Sequence, residues 1–329
     1  MSPHRTTVRC HGITIRYALI MALLFMLQPA LVLADAAKKQ HHKASSDTTN
    51  RLRIQSDCDK PLWIFHTVGS GGGTLKAPAK VELKKKGDHY DYAIPDKGLA
   101  STRFWPGAEC DAKGENCKIG SSGGPGLSCP GKGCAPPVDS KFEGTFGCLS
   151  SVSDADCQTN PSAPSTKLTR EDNWDTSMVD GFTLPYKVTV AGSCPDGPKH
   201  KTIDCTDLKW SECPTADTIN GTATDLRLKD LGTGTETVGC YSPCSKLTMN
   251  NWGNSPTYTP DSTEAAAYCC GGISSAACQA GPGAKTQYVK NIHQYCPQTY
   301  AYAYDDGTGL FKCPAAASTV YTVTFSCPQ

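Results

Sequence analysis

The chain has 329 residues, 38% hydrophobic and 19% charged, enough to bury one large or two ordinary domains. A formal net charge of +1 gives no electrostatic basis for binding nucleic acid or an anionic membrane surface. Nineteen cysteines point to an oxidising compartment and away from the cytosol.

Residues 1–34 read as a signal peptide. Arg5, Arg9 and Arg16 precede an apolar run from Tyr17 to Leu33, and Val32-Leu33-Ala34 offers a small-residue cleavage site before Asp35. An uncleaved membrane anchor is the competing reading, and Gln28 and Pro29 within the run oppose it. Cleavage removes those three arginines and Cys10, taking the charge from +1 to −2 and leaving an even 18 cysteines. No integral membrane segment is then expected, and a secreted, extracellular chain is. Residues 35–50 are small, polar and charged, and read as a disordered leader; His41 and His42 in it are solvated rather than metal-binding.

Strand signals begin at Arg51. Leu52 and Ile54, then Leu62 and Ile64, alternate with polar or aromatic neighbours. Short strands are expected at Val81–Leu83, Tyr90–Ile94 and Thr102–Trp105, the last carrying Arg103. Residues 106–137 hold eight glycines, five prolines and four cysteines, a loop held by disulfides rather than by apolar area. Strand character returns at Lys141–Phe146 around Glu143, and again over 174–191.

From Cys194 to Gly283 the pattern changes to cysteines among polar residues without strand alternation, a disulfide-stapled subdomain. It contains one N-glycosylation sequon, Asn220-Gly221-Thr222. Adjacent Cys269 and Cys270 fit no metal-ligand grid, so no metal and no cofactor are expected. Lys285–Cys296 has helical spacing and stops at Pro297. The C-terminal stretch reads as strand: Tyr300, Tyr302 and Tyr304 alternate with alanine, packing in a core or stacking on sugar, and Tyr321, Val323 and Phe325 line one face. Strands at both ends of this region predict one shared sheet, which a Cys58–Cys327 bridge would close.

Two carboxylates stand out in Asp172–Pro185. Asp175 and Asp180 are five apart, so a regular strand would send them to opposite faces. They share one site only if the backbone bends or the strand ends near Gly181.

The motif Trp174-Asp175-Thr176-Ser177-Met178-Val179-Asp180-Gly181-Phe182-Thr183-Leu184-Pro185 resembles a signature of the thaumatin-like proteins, pathogenesis-related family 5. Cys296-Pro297-Gln298-Thr299-Tyr300-Ala301-Tyr302-Ala303-Tyr304-Asp305-Asp306 and Tyr321–Pro328 resemble two more motifs of that family, in the same order. The resemblance implies a mainly β fold: a β-sandwich core over 51–193, completed by 284–329, with a disulfide-rich second domain over 194–283 and a cleft between them. It implies the pairs Cys58–Cys327, Cys110–Cys117, Cys129–Cys134, Cys194–Cys313, Cys205–Cys296, Cys213–Cys240, Cys244–Cys269 and Cys270–Cys278. Cys148–Cys157 has no counterpart in the family's usual pattern and would close a short insertion loop. The cleft set maps to Arg103, Glu143, Asp175, Asp180 and Asp305.

Four acids and an arginine suit a neutral glycan, whose hydroxyls donate to carboxylates. The reading is a monomeric secreted protein that binds β-glucan-type polysaccharide, in defence or antifungal action, rather than an enzyme. One alternative is a weak endo-β-1,3-glucanase with Glu143 as the acid and Asp175 as the second carboxylate. The other is an inhibitor of foreign hydrolases that acts through surface loops. Arg103 and Asp180 could instead serve only to pin loops together.

Overall fold

The computed structural model describes residues 48–69, 73–95, 99–123, 137–147, 171–230, 232–249 and 258–328. Among these, the strands run β1 (Thr48–Asp57), β2 (Leu62–Thr67), β3 (Lys80–Leu83), β4 (His89–Pro95), β5 (Leu99–Ala108), β6 (Lys141–Phe146) and β7 (Glu171–Ser177). They continue with β8 (Gly181–Phe182), β9 (Tyr186–Ala191), β10 (Thr202–Asp204), β11 (Asp217–Ile219), β12 (Thr222–Thr224), β13 (Arg227–Lys229), β14 (Thr237–Tyr241), β15 (Phe311–Pro314) and β16 (Val320–Ser326). The α-helices are α1 (Pro243–Met249), α2 (Ala266–Cys269), α3 (Ser275–Ala280), α4 (Gln287–Tyr295) and α5 (Asp306–Gly309).

The first and last strands share a sheet, as their alternation predicts. β1 and β16 pair in parallel, with Leu52 opposite Tyr321 and Ile54 opposite Val323, inside the five-stranded order β10-β9-β16-β1-β4. A six-stranded sheet, β15-β7-β6-β5-β2-β3, packs against it. Aromatic rings interlock between the two: Trp174 and Tyr321 are 5.2 Å apart between centroids, and Tyr92 and Phe104 4.9 Å. The protein is therefore mainly β with a sandwich core.

One buried ion pair ties the sheets together. A bulge in the β1–β4 pairing between Asn50 and Leu52 turns Arg51 inward, although strict alternation from Leu52 would send it outward. Its guanidinium donates to both oxygens of Asp172 at 2.5 and 3.2 Å, and both side chains are excluded from solvent. Asp172 also accepts from the Tyr321 hydroxyl at 2.8 Å and the Gly147 N–H at 3.0 Å.

Seven of the expected disulfides are present: Cys58–Cys327, Cys110–Cys117, Cys194–Cys313, Cys205–Cys296, Cys213–Cys240, Cys244–Cys269 and Cys270–Cys278. Cys129–Cys134 and Cys148–Cys157 lie outside the described residues, as do the signal segment and most of the leader. β1 begins at Thr48, so the last three residues of the stretch read as leader belong to the strand.

Three expectations change in detail. The 194–283 region, read as a disulfide-stapled subdomain without strand alternation, contains β10–β14, each only three to five residues long and so too short to show alternation. Buried residues of this region, among them Cys205, Leu208, Ile219 and Leu226, join the same hydrophobic core as the sandwich. The stretch 174–191 is not one strand: β7 ends at Ser177, and a turn separates it from β8 and β9. Tyr300–Tyr304 is not a strand either. After a single bridge from Tyr300 to Ser177 the chain turns into α5, and Tyr304 sits at φ +63°, 40% exposed rather than in the core.

The helix expected over 285–296 is α4, with Tyr288, Val289 and Ile292 buried. Its first turn is held by the Thr286 hydroxyl and by buried Asp217, which accepts from the N–H groups of Gln287 and Tyr288 at 3.1 and 2.9 Å. Among the described residues no helix is long and apolar enough to cross a membrane.

Candidate functional site

Sheet pairing assembles the site. On β5, β6 and β7 the residues Phe104, Phe142 and Trp174 point into the core, so their neighbours in the chain face out. Register then does what sequence spacing cannot show: Arg103 lies directly opposite Glu143, and Glu143 directly opposite Asp175. Directly opposed residues on adjacent antiparallel strands have Cβ atoms about 4.5–5.5 Å apart. Thr67 on β2 extends the row beyond Arg103.

Arg103 forms an ion pair with Glu143, its Nε 2.6 Å from Oε1, with about half of its side chain in solvent. Asp175 is half-buried. Burial first, and then the negative charge of Glu143, hold its carboxyl well above the usual carboxylate range; Arg103 and Lys141 pull the other way, and Asp306 adds to the rise.

Asp180 reaches the same region at a strand end. β7 stops at Ser177, and Asp180 sits in the turn before Gly181. The turn requires glycine: Gly181 has φ +133°, and a Cβ there would lie 2.1 Å from the Cys240 carbonyl oxygen. Asp180 accepts from Lys141 Nζ at 2.5 Å, and Lys141 also donates to the Pro137 carbonyl at 3.2 Å. Lys141 is buried; desolvation works against its charge, but Asp180, Glu143 and Asp139 outweigh it and hold the ammonium's pKa above normal. Asp139, two residues earlier in the chain, is buried, accepts from the Ser122 hydroxyl at 2.6 Å, and is pushed by burial to a pKa of about 6.

Asp305 occupies a different setting. It is 4% exposed, and its Oδ2 is shared between the Ala301 N–H at 3.0 Å and His293 Nε2 at 2.8 Å, which secures the turn before α5. The neighbouring exposed acid, Asp306, accepts from the Tyr300 hydroxyl at 2.5 Å and is the one whose field reaches Asp175. Lys141, Asp139 and Asp306 were not singled out in the sequence. Only Lys141 left a signal, two residues before Glu143 and so on its face. Asn220 of the sequon is exposed in the β11–β12 turn, its amide donating to the Glu264 carbonyl at 2.9 Å.

A β-sandwich with this disulfide framework and the Asp175–Gly181 turn defines a class, and the chain belongs to it: residues 56–328 match the Thaumatin family. Its curated relatives include thaumatin-like protein 1 of Pyrus pyrifolia, 28% identical, the match covering 84% of this chain and 91% of that protein. Thaumatin-like protein 1 of Arabidopsis thaliana is 27% identical, covering 95% of this chain and 94% of that one. A Prunus avium protein named glucan endo-1,3-beta-glucosidase is also 27% identical, covering 84% and 90% respectively.

Proposed function

We propose that the protein is secreted and binds β-glucan-type polysaccharide through the Arg103–Glu143–Asp175 row, with Asp180 and Lys141 beside it, in a defence or antifungal role. The observation that carries this reading is the cross-strand register, which places one cation and two acids side by side on an outward sheet face. Carboxylates accept hydrogen bonds from sugar hydroxyls, while a carboxyl whose pKa is raised, as burial and Glu143 raise that of Asp175, keeps its proton to higher pH and can then also donate to a ring or linkage oxygen. Each cation here is already paired with an acid, Arg103 with Glu143 and Lys141 with Asp180, which disfavours anionic glycans. The name of the Prunus avium relative supports β-1,3-glucan in particular. Seven disulfides support passage through an oxidising compartment.

A second reading, weak endo-β-1,3-glucanase activity, is favoured by the placement of two carboxyls, Glu143 and Asp175, directly opposite one another. A carboxyl whose pKa is raised beside an arginine-paired acid supplies the ingredients of acid-assisted glycoside cleavage. Arg103 engages Glu143 and so ties up one of the two carboxyls, which favours holding sugar over cutting it. Binding and reducing-end release on a panel of β-glucans separate the two. Binding without release is expected; binding to none of the panel would sink the glycan reading.

A further inference from the structure

The outward row does not end at Asp175. β15 pairs with β7 so that Phe311 lies opposite Trp174, and one step further along that register Leu310 falls beside Asp175 on the outward side. Leu310 is 40% exposed, one of three exposed large hydrophobic residues among those described. The Tyr300 ring lies along the same turn, close against Gly309, where a Cβ would come within 2.6 Å of Tyr300 Cδ2. Its hydroxyl is fixed by Asp306 at 2.5 Å.

The row therefore has two unlike ends: hydroxyl-bearing Thr67 beyond Arg103, and an open leucine flanked by a phenol and a carboxylate. A pyranose ring matches the second end, because it presents C–H groups on its face and hydroxyls around its edge. The geometry points to Leu310, with Tyr300 and Asp306 alongside, as an end subsite that takes the face of one sugar ring and lays a neutral glucan chain across the strands. This rests on the binding reading above. Strands lie about 4.8 Å apart, so Arg103 and Leu310, three strands apart, are separated by about 14 Å, more than a single ring covers. The consequence is a chain-length preference that depends on Leu310.

The test compares β-1,3-linked glucose oligomers of two and six units by calorimetry on the full mature protein. Wild type should bind the longer oligomer more tightly. Covering the exposed part of one leucine is worth roughly three- to eightfold in affinity, so Leu310→Ser should weaken the six-unit ligand by about that factor. Affinity for the two-unit ligand should barely change, and Leu310→Met should retain the preference. Near-UV circular dichroism checks that Leu310→Ser keeps its fold, as a substitution at an exposed side chain should. An unchanged length preference in Leu310→Ser overturns this subsite while leaving the binding reading intact. If wild type binds neither oligomer, both fall.

Discussion

Glu143 and Asp175 face one another as a direct antiparallel pair on β6 and β7, and Glu143 is the one ion-paired with Arg103. Loss of Glu143 therefore has two effects that loss of Asp175 does not: it releases Arg103 and removes the charge that helps Asp175 keep its proton. Glu143→Gln should weaken β-glucan binding by about 1–3 kcal/mol, as expected for hydrogen bonds to a charged group. Asp175→Asn resembles the protonated side chain and should bind nearly as wild type at acidic pH. The gap should open as pH rises, because the wild-type carboxyl ionises and the amide cannot. Isothermal titration of both variants across pH 4–8 checks this; equal, pH-independent losses would contradict it.

Adjacent Asp305 and Asp306 should respond in opposite ways. Asp305 is buried and serves the Ala301 N–H and His293, so Asp305→Ala leaves a buried donor unpaired and should cost about 1–3 kcal/mol in urea unfolding. Asp306 is exposed, and Asp306→Ala should leave stability within about 0.5 kcal/mol. It should still move the pH dependence of glucan binding toward lower pH, because it removes a negative charge that raises Asp175. A stability loss in Asp306→Ala matching that of Asp305→Ala would refute this division of labour.

The sandwich was legible because its strands alternate: Leu52, Ile54, Tyr321 and Val323 carry the period, and the structure pairs them. The site was legible only as a set of residue types. That Arg103, Glu143 and Asp175 form a row depends on register between strands far apart in the chain, and no local spacing encodes it. Asp175 and Asp180 posed a clear geometric alternative, a bent backbone or opposite faces, which the strand end at Ser177 answers. Asp139 and Asp306 gave no sign, since burial of an acid and reach toward a distant carboxyl are tertiary facts. Arg51 ran against its pattern, because a bulge is a single-residue slip that alternation cannot foresee.

The Arg51–Asp172 pair should be costly to break and cheap to replace. Asp172→Ala strands a guanidinium between the sheets and also unpairs Tyr321 and Gly147, so a loss of about 3–5 kcal/mol is expected in chemical denaturation. Replacing both partners at once, Arg51→Met with Asp172→Leu, removes the unpaired charge and should recover most of that loss. A double variant as unstable as Asp172→Ala would show that the hydrogen bonds from Tyr321 and Gly147, not the charge, dominate.

Asp139 makes stability fall as pH rises. Its carboxyl has an ordinary pKa near 3.8 and is raised to about 6 in the folded protein, with burial as the leading cause. Between those values the folded state binds more protons than the unfolded state, so unfolding free energy declines with pH and levels off above about 6. The net shift of roughly two units, in which the opposing pull of Lys141 and Ser122 is already included, corresponds to on the order of 2–3 kcal/mol. Asp139→Asn keeps the shape and can still accept from Ser122, but it does not ionise. It should therefore be more stable than wild type at pH 7, nearly equal at pH 4, and lack this part of the slope. Denaturation midpoints of both proteins from pH 4 to pH 8 measure the difference directly. Parallel curves would mean that Lys141 holds Asp139 ionised throughout, and the buried acid would then be a fixed counter-charge rather than a titrating one.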